Sequence, residues 1–293
     1  MSGTLDNVTS WKPIDETPFE IFEDATNLIA STTTNAAAYG VVFTLFCICV
    51  HSLIQQLRAG SRTKQAIFSL VYISIMFVFG TIYCAVNSRE AQLEYVNFRN
   101  FPGGPAAYAI FIFSTPLNIV GAVSFFATSW MNDGLLRVSL LRPSGLQIFV
   151  DISSVLTAMG MVTLIESVLP TQSFWSAIAV QFATAYYVLT TTYTIIITGL
   201  MIARILLVRR NFMKATGRTE FSSQYVSIAA MIIESSALYT VWGIIFLALY
   251  LVNNPVQYVF LGTLSEVQII APLLIIYRVS QGKAWKEETT MKL

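Results

Sequence analysis

Charge is what this sequence has least of. Only 11% of its 293 residues are Asp, Glu, Lys or Arg, while 55% are hydrophobic, and the formal net charge is +1. A water-soluble domain carries about 25% charged residues, so this chain cannot cover a water-facing surface, and its apolar excess is expected to face lipid. The small net charge, with no basic stripe carrying interleaved aromatics, excludes nucleic acid as a partner. Histidine is nearly absent as well. The single His51 cannot supply the several imidazoles of a zinc-dependent membrane hydrolase, and a Ser–His hydrolase would have it as the only base. It reads as an interfacial or packed residue. The three cysteines, Cys47, Cys49 and Cys84, fit neither a zinc spacing nor a disulfide framework. No phosphate-binding loop or dinucleotide fingerprint occurs, so no cofactor is expected, and enzyme is the least supported class.

What is present is a series of apolar runs. A helix needs roughly 20 mostly apolar residues to cross ~30 Å of hydrocarbon. Seven stretches meet that requirement, at about residues 36–57, 66–86, 107–130, 146–169, 176–203, 226–252 and 258–278. The expected fold is an all-α, seven-transmembrane helix bundle. Residues 1–35 form an acidic extracellular or lumenal segment, 36–278 the membrane domain and 279–293 a short cytosolic tail. The polar start of the chain does not look like a cleavable signal peptide, so the first span is expected to act as the insertion signal.

Lysine and arginine set the orientation. Fourteen of the seventeen lie on one side, in the connections around Arg58–Lys64, Arg137–Arg142 and Arg204–Arg218 and in the tail from Arg278 to Lys292. Lys12, Arg89 and Arg99 are left for the other side. That asymmetry places the amino terminus outside and the carboxyl terminus in the cytosol. The glycosylation sequon Asn7-Val8-Thr9 falls in the outer segment, as it must to be used. The same orientation disposes of a tempting spelling. "NNPVQYVF", residues 253–260, contains N-P-x-x-Y, which in rhodopsin-like receptors lies at the cytoplasmic end of the last helix. Here it lies in the outer connection, where Pro255 suits the start of a helix because its missing N–H costs nothing there. No D-R-Y follows span three, and no span core carries the lysine that retinal requires.

Four acids remain within the spans: Asp151, Glu166, Glu234 and Glu266. Asp151 and Glu166 lie near span ends, within reach of headgroup water. Glu234 and Glu266 each lie about eight residues, or ~12 Å, into spans six and seven. An ionised carboxylate there costs at least ~2.5–3.5 kcal/mol. Protonation, a hydrated cavity or a bound cation or amine would each relieve it. Tyr239, Gln268 and Asn118 are the polar groups expected to share the site. The plain alternative is that both acids act as hydrogen-bonding packing groups between helices. Thr115-Pro116 predicts a kink in span three whose freed carbonyl a hydroxyl satisfies. "TTTYT" at 190–194 reads as packing, since threonine bonds back to its own helix. "NFRNFPGGPAAY" at 97–108 is an outer loop that either caps a pocket or lies at the interface. No pair of matching halves, such as a transporter built from repeats would show, is visible.

Three stretches, "WMNDGLLR" (130–137), "SIAAMIIESSALYTVWGIIFLALYLVNNP" (227–255) and "VQIIAPLLIIYRVSQGKAW" (267–285), resemble a large, mostly uncharacterised family of seven-span membrane proteins of mushroom-forming basidiomycete fungi. The family's aspartate-glycine pair, its span-six glutamate run and its final cytosolic turn map onto Asp133 and Gly134, Glu234 with Tyr239, and Arg278 with Gly282. "LLRPSG" stands here where the family has a Trp-containing turn. The resemblance implies a receptor-like layout and no particular ligand.

The expected function is therefore a receptor-like, multi-pass protein of the plasma membrane. It would bind a small, amine-bearing or apolar ligand in an outward cavity near Glu234, Glu266, Tyr239, Gln268 and Asn118. Arg209, Arg210, Lys214 and Arg218 would meet a cytosolic effector or anionic lipid. A proton- or cation-coupled transporter that uses the two glutamates is the alternative. A purely structural membrane protein is the third.

Overall fold

In a computed structural model of the chain, residues 17–60, 63–102, 104–141, 157–165, 177–216 and 237–290 are described. Among them every regular element is helical and no strand occurs. The helices are α1 (Pro18–Ile29), α2 (Asn35–Arg58), α3 (Thr63–Gln92), α4 (Gly104–Ile112), α5 (Pro116–Leu141), α6 (within 157–165), α7 (Ala177–Thr216), α8 (Ala237–Leu251) and α9 (Gln257–Thr290). A π-helical turn, Ala30–Thr34, fuses α1 to α2, and a second, Leu93–Asn97, extends α3.

Three of the described helical stretches are long and apolar enough to cross a membrane: Pro18–Arg58, Thr63–Asn97 and Gln257–Tyr277. Their outward faces carry the side chains that lipid would solvate. Val41, Phe43, Phe68, Val71 and Val78 are each about half exposed, and a helix apolar on its outer face as well as its inner one suits a bilayer. These features are those of a membrane protein. Asp151, Glu166 and Glu234 lie outside the described residues, as do Asn7 and Arg218. The side chains of Asp133, Arg209, Lys214, Arg278 and Gly282's neighbourhood are likewise not described, while Arg210 is exposed.

Local chemistry explains the element ends. Thr17 and Glu20 form a reciprocal capping box around Pro18 in the first helical turn, satisfying amide groups that a helix start leaves free. The helix therefore begins at Pro18, and the second half of the polar amino-terminal segment is not a loose tail but a rigid extension of the first span. Span three breaks where its proline predicts. α4 ends at Ile112, α5 starts at Pro116, the Thr115 hydroxyl donates to the Ile112 carbonyl at 2.6 Å and the Asn118 amide donates to the Phe113 carbonyl at 3.0 Å. α8 ends on Asn253 in the left-handed region (φ 50°), with Asn253 N–H donating to Tyr250 and Asn254 N–H to Leu249, a carboxyl-terminal cap that asparagine tolerates. Pro255 then sits in the turn that Asn254 Oδ1 closes by accepting from Val256 N–H at 3.0 Å, two residues ahead of α9.

The packing has two centres. α2, α3 and α9 pack together along Val42, Cys49, Ile73, Met76, Ile269 and Leu273. Cys49 donates to the Leu273 carbonyl at 3.3 Å, next to the helix-interior Pro272. The second centre is aromatic: Tyr83, Phe125, Phe126, Tyr187, Tyr239 and Phe246 stack between α3, α5, α7, α8 and α9. Two glycines permit close approach. A Cβ at Gly121 on α5 would lie 2.7 Å from Val86 on α3, and one at Gly262 on α9 would lie 3.4 Å from the Ala30 carbonyl oxygen. The threonine run of α7 is packing, with Thr190 and Thr194 buried and Thr194 donating to the Thr190 carbonyl.

Candidate functional site

The predicted cluster separates into two levels. Asn118 lines a cavity of about 180 Å³ at one end of the bundle. Glu266, Gln268 and Tyr239 lie deeper. The cavity is formed where the end of α3, the start of α5, the start of α9 and the amino-terminal helix meet. Its polar wall is Asn27, Asn87, Glu90, Glu94 and Asn118, and its apolar wall includes Tyr83, Phe113, Phe125, Phe126, Tyr187 and Tyr258. The helix ends that build it are all ones the charge asymmetry assigns to the outside.

Glu90 and Glu94 were not among the residues picked from sequence. They are four apart on a helix that runs on past the predicted end of span two, so they share a face. The stretch "REAQLE" carries that spacing, and the signal is hidden only because the apolar run stops at Val86. Thr63–Asn97 has 35 residues, or ~52 Å of helix at ~1.5 Å per residue, far more than the hydrocarbon needs. Glu94 is 5% exposed, and Asn27 Nδ2 donates to its Oε1 at 3.4 Å. Glu90 Oε1 is buried with no hydrogen-bond partner. Among the described residues that line the cavity none is basic. The amino-terminal helix is tied to this rim by a second bond, from Tyr258 OH to Glu23 Oε1 at 2.6 Å. The aromatic loop at 97–108 packs on itself, with Phe98 and Tyr108 stacked at 4.9 Å between ring centroids, and the lining takes up the chain just beyond it at Ala109 and Ile112.

Within the cavity wall, Tyr83 OH donates to the Leu261 carbonyl at 3.3 Å and Asn87 donates to the Tyr83 carbonyl at 3.1 Å. Glu266 follows five residues after Leu261, or ~7.5 Å further along α9. It is 0% exposed, and neither of its carboxyl oxygens has a hydrogen-bond partner. The carboxyl lies against Gly80 of α3, where an added Cβ would be 3.3 Å from Oε2 and 3.6 Å from Oε1. The packing-group reading required this carboxyl to bond across helices; it does not. Gln268 points elsewhere on α9, since side chains two apart on a helix do not share a face. Its Nε2 donates to Tyr239 OH at 3.3 Å, while its Oε1 is buried without a partner. Thr263, on a third line of α9, accepts from Trp242 Nε1 at 3.0 Å and ties α8 to α9. His51 Nε2 lies 2.9 Å from the Gln55 amide nitrogen on its own helix, and among the described residues no group of three or more His, Cys, Asp or Glu could hold a metal.

Comparison with protein-family models, with curated proteins and with solved structures finds no match to this chain. The functional reading therefore rests on the residues and their placement.

Proposed function

We propose that the chain is a seven-span, receptor-like protein of the plasma membrane, amino terminus outside, that takes a small amine-bearing ligand into the cavity bounded by Glu90 and Glu94. The observation that carries this reading is the make-up of that cavity. A buried carboxyl group, Glu94, and a half-buried one, Glu90, line a partly open aromatic cavity whose described lining residues include no cation. Pairing with an opposite charge is one way to relieve a buried carboxylate, and an ammonium group supplies that partner while Phe113, Phe125 and Tyr187 take its apolar body. Aromatic faces add cation–π attraction for the same group. Asn27 and Asn87 add hydrogen-bonding groups at the rim. The cytosolic partner would meet the basic segment at Arg209, Arg210, Lys214 and Arg218, and the resemblance to the basidiomycete seven-span family implies a receptor-like layout and no particular ligand or activity.

The test is thermal unfolding of the purified chain in lipid nanodiscs with phenethylammonium and, as the uncharged counterpart, phenethyl alcohol. The ammonium compound stabilises the wild type in a saturable way, the alcohol does not, and Glu94→Gln and Glu90→Gln each weaken the response. Equal stabilisation by amine and alcohol, or full retention in both variants, overturns the assignment of ligand class.

One observation favours cation-coupled transport as the second reading. The polar line on α3 continues from the cavity toward Glu266. Transport requires that the line open to both sides of the membrane.

A further inference from the structure

The amino-terminal helix is amphipathic the wrong way round for a segment standing in water. Pro18, Phe22, Ala25 and Ile29 follow one another on α1 at spacings of four, three and four, which keeps them on one face. All four are exposed, Phe22 and Ile29 by about half, and no charged residue interrupts the line. The opposite face carries Glu23, Asn27 and Ala30 and turns to the protein. Tyr258 OH donates to Glu23 at 2.6 Å, Asn27 donates to Glu94 at 3.4 Å, and the Ala30 carbonyl lies against Gly262. A helix on a water-facing surface lays its apolar stripe on the core and its polar groups in solvent. Here both halves are reversed, which suits surroundings less polar than water.

That outward face continues into a span. The buried line of the fused helix runs Thr26, Ala30, Asn35, Val42 and Cys49, in steps of four, five, seven and seven. The step of five falls in the π-helical turn Ala30–Thr34, where i→i+5 bonding takes up one residue more than an α turn. The inward side of α1 therefore passes into the inward side of α2 without rotating away from it. The outward sides match for the same reason, and on α2 that side exposes Val41, Phe43 and Ile48. Depth agrees as well. Tyr258 and Gly262 belong to the first turns of the apolar stretch Gln257–Tyr277, so their partners Glu23 and Ala30 place α1 alongside the outer end of a membrane helix.

We propose that the face formed by Pro18, Phe22, Ala25 and Ile29 is seated in the outer leaflet of the bilayer. Lipid then holds from outside a helix whose Asn27 lines the cavity from within. The occupant is lipid rather than a second copy of the chain because the face is one surface with the exposed side of α2, not a separate patch. Helices that lie at a membrane interface bury an apolar face of this kind among headgroups and acyl chains. The seating rests on the membrane reading with the amino terminus outside, and on nothing about the ligand.

The experiment is spin-label accessibility on the full chain in nanodiscs. Cys47, Cys49 and Cys84 are replaced by alanine, and a nitroxide is attached in turn to Phe22→Cys, Ala25→Cys and Ile29→Cys, with Phe43→Cys as the reference inside the span. Molecular oxygen concentrates in lipid, whereas a water-soluble nickel chelate stays out of it. The expected result is stronger relaxation by oxygen than by nickel at all three positions, with a ratio that rises from 22 to 29 and is highest at 43. The three positions are exposed, so the fold tolerates the label; should one variant fail to fold, the other two decide. Nickel access at 22, 25 and 29 with position 43 shielded leaves the membrane reading standing and overturns the seating. Nickel access at 43 as well overturns both. Labels that are immobile and shielded from both reagents show a protein cover, which also overturns the seating, and dipolar broadening between labels would identify that cover as a second copy.

Discussion

Replacing Glu266 with methionine separates a functional carboxyl from a structural one. Both oxygens of Glu266 are buried without partners, and an unsatisfied buried polar group costs about 1–3 kcal/mol. Methionine removes that cost and keeps an unbranched chain that can follow the Gly80 notch. A near volume-conserving exchange in a packed core costs less than about 1.5 kcal/mol. Ile269 Cδ1, the closest atom to the space above Gly80, is the flexible end of a side chain and can give way. The balance favours Glu266→Met by roughly 1 kcal/mol, and a gain of one or two kcal/mol changes the folded-to-unfolded ratio by about 5- to 30-fold. Reversible unfolding in nanodiscs, followed by tryptophan fluorescence, measures it. A loss of more than about 1 kcal/mol would refute the reasoning, since the carboxyl would then be making bonds that hold the helices together.

Two further substitutions probe the frame around the cavity. Gly121→Ala places a Cβ 2.7 Å from Val86 Cγ1. Overpacking of about 1–3 kcal/mol outweighs the ~0.5–1 kcal/mol that alanine gains in a helix, so the variant unfolds more readily, and adding Val86→Ala recovers part of the loss. Additive effects in that double-mutant cycle would contradict the close approach of α3 and α5. Tyr258→Phe removes the 2.6 Å bond to Glu23, a bond to a charged group of the kind that contributes about 1.5–3 kcal/mol. Hydrogen exchange should rise in residues 18–34 and stay unchanged in the lower half of α9; unchanged exchange in both would show that the bond does not hold the amino-terminal helix.

The apolar runs made the helical class readable because the hydrocarbon imposes a length that composition alone meets. The break at Thr115-Pro116 was readable for an equally local reason, the missing proline N–H. The amino-terminal helix was obscured by its acidity, although Thr17-Pro18-Phe19-Glu20 spells its capping box. Its stability comes from contacts distant in sequence, Glu23 with Tyr258 and Ala30 with Gly262. Glu90 and Glu94 were passed over because hydropathy marks where lipid ends, not where a helix ends. Glu266 was found from its isolation in an apolar run. That it faces Gly80 and that Gln268 turns toward Tyr239 depend on helix register, which no single span specifies. Asn118 is grouped with Glu266 in the sequence reading, yet it lines the cavity that Glu266 does not.

The central claim, a cavity open to the outside alone, is tested most directly by cysteine accessibility. Cys47, Cys49 and Cys84 are replaced by alanine and Asn87→Cys places one thiol in the cavity wall. A membrane-impermeant, trimethylammonium-bearing thiol reagent is then applied to intact cells and to inside-out vesicles. The account predicts rapid labelling from the outside, slowed by phenethylammonium, and none from the cytosolic face. Labelling from the cytosolic face alone would contradict the orientation, and labelling from both faces would replace the receptor with a transporter.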